Sequence, residues 1–430
     1  MTYTESIDYL YQLLPVFHRI GKKAFKANLD NTIAICEHLD NPQNKFKSIH
    51  VAGTNGKGST SHFLASILQS AGYKTGLYTS PHLKSFTERI RINGQSIPEE
   101  RVVQFISDNK QFIEDVKPSF FELTVGMAFE YFAEEKVDIA IIEVGLGGRL
   151  DSTNIITPEL SIITNISFDH TDILGDTLSK IAFEKAGIIK PNIPVVISER
   201  YPETEHVFID RAKEGDSPIY FSEDFFQVKS VELQESHLVL EVKNKHHNLT
   251  QNIHSQLIGN YQTKNILGVL TAIEILKLNN YKISEEAILE GFAQVITKTN
   301  LKGRWQTLSN QPYILCDTAH NVSGIQEVLR NIDVISCHQR WFIIGFVSDK
   351  DIDGILSLFP TDAKYIFCQS NTPRALDAHL LQERANSFSL SGIVIENVNA
   401  AIEFAKQNAT TDDFIYVGGS TFVVSEIDDL

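Results

Sequence analysis

An apolar run ending in Ile49-His50-Val51-Ala52 leads into Gly53-Thr54-Asn55-Gly56-Lys57-Gly58-Ser59-Thr60, and an amphipathic stretch follows. Glycines at this density let backbone N–H groups converge on an anion. The start of a helix adds a positive end, and Lys57 can reach terminal phosphates. The segment therefore predicts a strand, a phosphate cradle and a helix entered through Ser59 and Thr60. Its spacing is a variant of the common GxxxxGK[ST] pattern: Val51 occupies the first glycine position, and Gly58 separates Lys57 from Ser59. An ordinary strand-to-helix turn would require neither the glycines nor the lysine.

The flanking pattern gives the cradle a fold. Apolar runs at 49–52, 138–142, 160–164 and 193–197 alternate with segments of helical period, which predicts α/β architecture with a mainly parallel sheet and ligand loops after the strands. Over 226–242 the period changes to two on either side of Gln234-Glu235-Ser236, predicting a hairpin added to that sheet. Helices over 261–278 and 284–292 lead to the polar stretch Thr297-Lys298-Thr299-Asn300, where we place a boundary. Alternation restarts beyond it, with strands at 313–316, 341–344, 365–368 and 414–417 and helices at 324–330 and 352–358. The expected fold is thus an N-terminal P-loop ATPase domain over 1–297 and a smaller C-terminal Rossmann-like α/β domain over 301–430.

Composition narrows the classes. A chain of 430 residues exceeds what one core usually serves, and 42% hydrophobic with 21% charged residues describes a globular protein. A net charge of −16 argues against a nucleic-acid or anionic-membrane surface. The four cysteines, Cys36, Cys316, Cys337 and Cys368, form no CxxC pair, so neither a zinc knuckle nor a disulfide framework is indicated. The opening MTYTESIDYLYQLL has no basic or apolar leader character, and no apolar run reaches the roughly 20 residues of a membrane span. A cytoplasmic location is expected.

Two further constellations follow predicted strands. Ile141-Ile142-Glu143 enters the glycine-rich loop Val144-Gly145-Leu146-Gly147-Gly148-Arg149-Leu150-Asp151. A strand-end glutamate is commonly solvated or ion-paired, but beside a phosphate cradle it suits Mg²⁺, which takes one or two carboxylates together with substrate phosphates. The segment Asn165-Ile166-Ser167-Phe168-Asp169-His170 makes His170 a candidate for a second metal position, with a structural histidine as the alternative. Lys185, in Phe183-Glu184-Lys185-Ala186, reads as mid-helix, where a lysine ordinarily packs its stem on the surface.

Together these motifs resemble the folylpolyglutamate synthase and dihydrofolate synthase family, a branch of the Mur ligases. The resemblance is carried by GTNGKGS at 53–59, TSPHL at 79–83, ERI at 88–90, EVGLGGRLDSTN at 143–154, DH at 169–170 and KAGIIK at 185–190. It continues through Gly303-Arg304, DTAHN at 317–321, DKD at 349–351, TPRAL at 372–376 and GGST at 418–421. It implies ligation of L-glutamate to dihydropteroate or a reduced folate, with ATP phosphorylating the carboxylate and the glutamate amine attacking the acyl phosphate. It also implies two Mg²⁺ sites, one on Ser80 and Glu143 and one on His170 and Glu143, and a carbamate on Lys185. Ser59 would contact phosphate and Arg304 would reach it from the second domain, while Asp317 and His320 would meet nucleotide or glutamate. Asn260, Gln262 and Asn265 match a nucleotide-facing helix start, with capping as the alternative.

For the pteridine end, the resemblance points to Ser119, Phe121 and Asp151. Core packing is the alternative for Phe120 and Phe121, and solvation is the alternative for Asp151. It also implies a monomer. A bifunctional enzyme is the favoured reading. Other readings are a polyglutamate synthase alone, another Mur-type amino-acid ligase, and a non-catalytic ATP-binding switch.

Overall fold

The computed structural model describes residues 1–15, 28–234 and 237–430. It divides into two compact units, Met1–Leu301 and Lys302–Leu430. In the first, eight strands form one sheet: β1 (Lys47–Ala52), β2 (Thr75–Tyr78), β3 (Ile90–Ile92), β4 (Gln95–Ser96), β5 (Ile139–Glu143), β6 (Leu160–Ile163), β7 (Val195–Ile197) and β8 (Ile219–Phe221). Their order is β4-β3-β2-β5-β1-β6-β7-β8, with β3 alone running against the others and so pairing antiparallel with β2 and β4 at one edge. β1 is therefore central, and the loops leaving the carboxyl ends of β5 and β6 flank its own. Such a crevice is where open α/β sheets bind ligands.

Alternation along β1 assigns its two faces. Ile49 and Val51 pack against Phe63, Leu64, Ile67 and Leu68 of the helix Lys57–Ser70, which is backed by the helices Gln262–Leu278 and Glu285–Ala293. On the opposite side of the sheet, Phe129 and Phe132 of the helix Phe120–Glu134 cover Tyr78, Ala140 and Ile142. This helix begins in a capping box: Ser119 Oγ accepts from Glu122 N, and the Glu122 carboxylate accepts from Ser119 N.

The expected hairpin does not extend the main sheet. β9 (Phe226–Gln234), β10 (His237–Asn244) and β11 (Leu249–Ser255) form a separate three-stranded antiparallel sheet. A period of two reports a half-buried strand but does not name its partner. Glu235 and Ser236 of the expected turn lie outside the described residues.

The second unit has β12 (Gln306–Asn310), β13 (Tyr313–Asp317), β14 (Arg340–Ile344), β15 (Lys364–Phe367), β16 (Gly392–Val394) and β17 (Phe414–Gly418). The order is β12-β13-β17-β14-β15-β16, with only β12 antiparallel. Both units are thus parallel-dominated α/β structures, as the alternation predicted. Among the described residues no helix is long and apolar enough to cross a membrane.

The cradle helix depends on the core behind it. Phe292, fully buried, meets Phe63 at a centroid distance of 5.0 Å. Phe292→Ala should destabilise the first unit by about 3–5 kcal/mol, measured by denaturant unfolding with fluorescence or circular dichroism.

Candidate active site

β1 ends at Ala52, and the chain turns through Gly53, at φ 152°, to Gly56, at φ 86°, which caps the helix Lys57–Ser70. Neighbouring side chains occupy the space a Cβ would need: one at Gly53 would overlap Thr164 Oγ1, and one at Gly56 would overlap Asn265 Oδ1. The loop is laced to the strand end beside it. Thr54 N donates to Asn165 O at 2.7 Å, Ser167 N to Thr54 Oγ1 at 3.1 Å, and Thr164 Oγ1 to Asn55 O at 2.6 Å. On the other side, Gln262 Nε2 donates to Ser59 Oγ at 3.1 Å, and Asn265 Nδ2 to Gln262 Oε1 at 2.8 Å. Ser59 and Thr60 are buried in the first turn. The result is a rigid nest whose Gly58 and Lys57 open the helix.

Two lysines meet on this loop. Lys57 Nζ donates to Gly53 O at 2.9 Å and Thr54 O at 3.0 Å, and Lys185 Nζ donates to the same Gly53 O at 2.9 Å. Lys185 is not the mid-helix surface lysine that the local pattern suggested. It lies in the last turn of the helix Leu178–Ala186 and is only 3% exposed. Burial, and then the charge of Lys57, push its pKa down to about 7 against the opposing pull of Asp169 and Asp151. Near neutral pH, Lys185 is therefore available as a neutral amine.

The candidate metal ligands lie at or beyond the carboxyl ends of β2, β5 and β6 in the one sheet. Glu143 ends β5 in register with Val51 of β1 and is 4% exposed. Ser80 lies just past β2, whose Tyr78 is in register with Ile142. His170, at φ 49°, precedes the short helix Thr171–Leu174, and its Nε2 is 3.7 Å from Asp169 Oδ2. Among the described residues, no three His, Cys, Asp or Glu side chains gather as a self-sufficient metal cage. One buried carboxylate, with a hydroxyl and an imidazole on loops leaving the same sheet, suits a hard cation that draws its remaining ligands from phosphate and water.

The glycine-rich loop after β5 is welded to the helix carrying Lys185. Arg149 N donates to Glu184 O at 2.7 Å, and Asn154 Nδ2 donates to Arg149 O and Gly187 O at 3.0 Å each. Asp151 is 3% exposed, which excludes the solvated alternative. Its carboxylate accepts from Leu146 N at 2.8 Å and Thr153 N at 3.0 Å, and from the Thr153 hydroxyl. Burial raises its pKa, and those hydrogen bonds oppose the rise. Phe120 is buried against Tyr11 and Phe86, whereas Phe121 is partly exposed, tilts on Tyr78 at 6.1 Å, and lies where a Cβ on Gly145 would overlap it. Ser119 spends its hydroxyl on the capping box.

In the second unit, two sequence motifs come together. Asp317, at the end of β13, accepts from Trp305 N and Ala319 N at 2.8 Å each, while Thr318 N donates to Gly303 O at 3.1 Å. Arg304 lies within this turn, and His320 Nδ1 donates to Thr318 O at 3.0 Å. Sequence reasoning missed Thr164 and Asn154 as organisers of the cradle and the loop. Their only signals were a polar residue ending an apolar strand and the last letter of EVGLGGRLDSTN.

A glycine cradle with a lysine at its helix start, in a parallel sheet followed by a second α/β unit, suits a nucleotide-using enzyme, and the family matches place it among the Mur ligases. Residues 51–273 match the Mur ligase middle domain, and residues 303–421 match the Mur ligase, glutamate ligase domain. The chain is 33% identical over 416 residues to the dihydrofolate synthase/folylpolyglutamate synthase of Bacillus subtilis, covering 94% of this chain and 95% of that one. It superposes on Escherichia coli FolC in complex with DHPP and ADP with a TM-score of 0.85, at 29% identity, covering 99% of this chain and 96% of that one. A bifunctional folylpolyglutamate synthase/dihydrofolate synthase with Mn, AMPPNP and L-glutamate bound gives a TM-score of 0.83 at 30% identity, covering 99% and 97%. The chain belongs to the dihydrofolate synthase/folylpolyglutamate synthase family, as its motifs suggested.

Two glycines separate the cradle's requirement from backbone strain alone. Gly56 and Gly72 have φ of 86° and 88°, but a Cβ at Gly72 meets nothing within 4 Å. Gly72→Ala should cost about 1–2 kcal/mol and leave ATP affinity unchanged. Gly56→Ala should also displace Asn265 and weaken ATP binding by roughly tenfold or more, read by nucleotide titration.

Proposed function

We propose that this chain joins L-glutamate to dihydropteroate and to the glutamate tail of reduced folates, using ATP to form an acyl phosphate. The convergence of Lys57 and Lys185 on the Gly53 carbonyl, inside a cradle next to Glu143, carries this reading. Residues 1–297 would hold ATP and the carboxylate substrate, and 301–430 would supply glutamate-side contacts.

The carboxylate oxygen attacks the γ-phosphorus, and ADP leaves. The glutamate amine then attacks the acyl carbon, loses a proton, and expels inorganic phosphate. Lys57 exchanges its carbonyl partners for phosphate oxygens, while the backbone from Thr54 to Ser59, with Thr60, holds the phosphate chain. Divalent cations held by Ser80 and Glu143, and by His170 and Glu143, with Mg²⁺ as the physiological ion, would supply neutralisation of the transferring phosphoryl group. Phe121 offers a ring face to the pteridine and Asp151 a hydrogen-bonding edge, with Ser119 fixing the helix start beneath them. Arg304, Asp317 and His320 are the proposed nucleotide or glutamate contacts of the second unit, and Asn265 that of the cradle side.

Lys185 is proposed to carry a carbamate. A neutral amine adds to carbon dioxide, forming an N–C bond and releasing one proton, and the product replaces a cation beside Lys57 with an anion. Because its pKa is lowered to about 7, the reactive amine increases as pH rises through that value. In ¹³C-bicarbonate, a carbamate resonance should grow from pH 6 to pH 8 and be absent in Lys185→Arg. An identical resonance in that variant would refute the assignment.

The function is tested by phosphate release from Mg-ATP and L-glutamate, with 7,8-dihydropteroate or a reduced folate monoglutamate, reading product masses. Both substrates should each gain one glutamate, and Lys57→Ala should lower kcat by about 10²–10³-fold. Turnover of the folate alone would leave a polyglutamate synthase. Turnover of neither would reject the proposal.

A further inference from the structure

His50 lies in the middle of the central strand, fully buried, between Ile49 and Val51. An aliphatic residue would satisfy the strand there, so the imidazole needs another explanation. Its Nε2 is 2.8 Å from Thr153 Oγ1, and its Nδ1 is buried with no hydrogen-bond partner. Thr153 in turn binds Asp151 Oδ1 through both its backbone N and its hydroxyl.

The donors along this chain can be assigned. With Asp151 ionised its carboxylate only accepts, so the Thr153 hydroxyl spends its proton on Asp151 and offers a lone pair to the ring. His50 must then be the neutral tautomer with its proton on Nε2. Burial, and then the charge of Lys190, hold its pKa down at about 3, which keeps the ring neutral across the working range. The sheet interior thereby orients a hydroxyl, and the hydroxyl orients a carboxylate facing the loop after β5.

We propose that His50 and Thr153 are positioning residues for substrate selection: they fix Asp151 in the orientation that receives the hydrogen-bonding edge of a pteridine, without touching substrate themselves. This rests on the reading of Asp151 as a pteridine contact. Leu146 N and Thr153 N keep one hold each on the two carboxylate oxygens, so losing the Thr153 hydroxyl loosens the orientation of the carboxylate without releasing the loop. Phosphate binding should be insulated, because the cradle is laced through Thr164, Ser167 and Asn265 instead.

The test uses the full chain and whichever pteridine carboxylate it turns over. Thr153→Val and His50→Leu should raise KM for that substrate about tenfold or more, the scale of one lost charge-assisted hydrogen bond. KM for ATP should stay within about twofold. Thr153→Ser and His50→Gln, which keep the hydroxyl and an N–H donor, should restore most of the loss. A joint rise in both KM values, or no rise in either, overturns the proposal. Asp151→Asn separates the two layers. If it raises KM for the pteridine substrate and Thr153→Val does not, the positioning chain alone fails; if Asp151→Asn has no effect, the underlying reading of Asp151 fails with it. Should the His50 variants not fold, imidazole ¹⁵N chemical shifts of the wild-type chain decide: a proton on Nε2 supports the chain of donors, and a proton on Nδ1 overturns it.

Discussion

One backbone carbonyl organises the site. Gly53 O accepts from Lys57 and Lys185, each at 2.9 Å, so two ammonium groups would lie within about 6 Å of each other. At an effective dielectric near 20, such a pair repels by roughly 3 kcal/mol, more than a hydrogen bond to a neutral carbonyl normally returns. The repulsion is relieved by changing one charge. Lys185, the buried member, has its pKa lowered to about 7, while Lys57 lies at the helix start where phosphate can pair with it. A loop that gathers cations this way is prepared for anions.

The surrounding packing holds that carbonyl in place. Three side chains from distant parts of the chain, Thr164, Asn265 and Phe121, fill the spaces beside Gly53, Gly56 and Gly145. The first two lock the phosphate cradle to β6 and to the helix Gln262–Leu278. The third brings the aromatic face to the loop after β5, and that loop is bonded to the end of the Lys185 helix through Arg149 and Asn154. The cradle and the loop after β5 are thus laced separately, and they are linked through the Lys185 helix, whose lysine reaches Gly53 O.

Much of this was legible in the chain. The cradle, Glu143 at a strand end, and the parallel α/β character of both units follow from glycine spacing and apolar periodicity, because those features are local. The depth of Lys185 was not legible: its partner is 132 residues away, and a helical pattern reports a face without saying what covers it. For Asp151 solvation stood as the alternative because a glycine-rich loop gives no sign that its own Leu146 and Thr153 will fold back and hold the carboxylate. The three-stranded sheet was mistaken for an extension of the main one because period two specifies pleat and not pairing. β16, three residues long with Ile393 exposed, carries too weak an apolar signal to be found.

The central claim is that the carboxylate is activated as an acyl phosphate before the amine attacks, and oxygen tracing tests it directly. With the substrate carboxylate labelled by ¹⁸O in both positions, the account predicts that each turnover transfers one labelled oxygen to inorganic phosphate and leaves one in the new amide. Phosphate released without label, while the glutamate adduct forms, would contradict it.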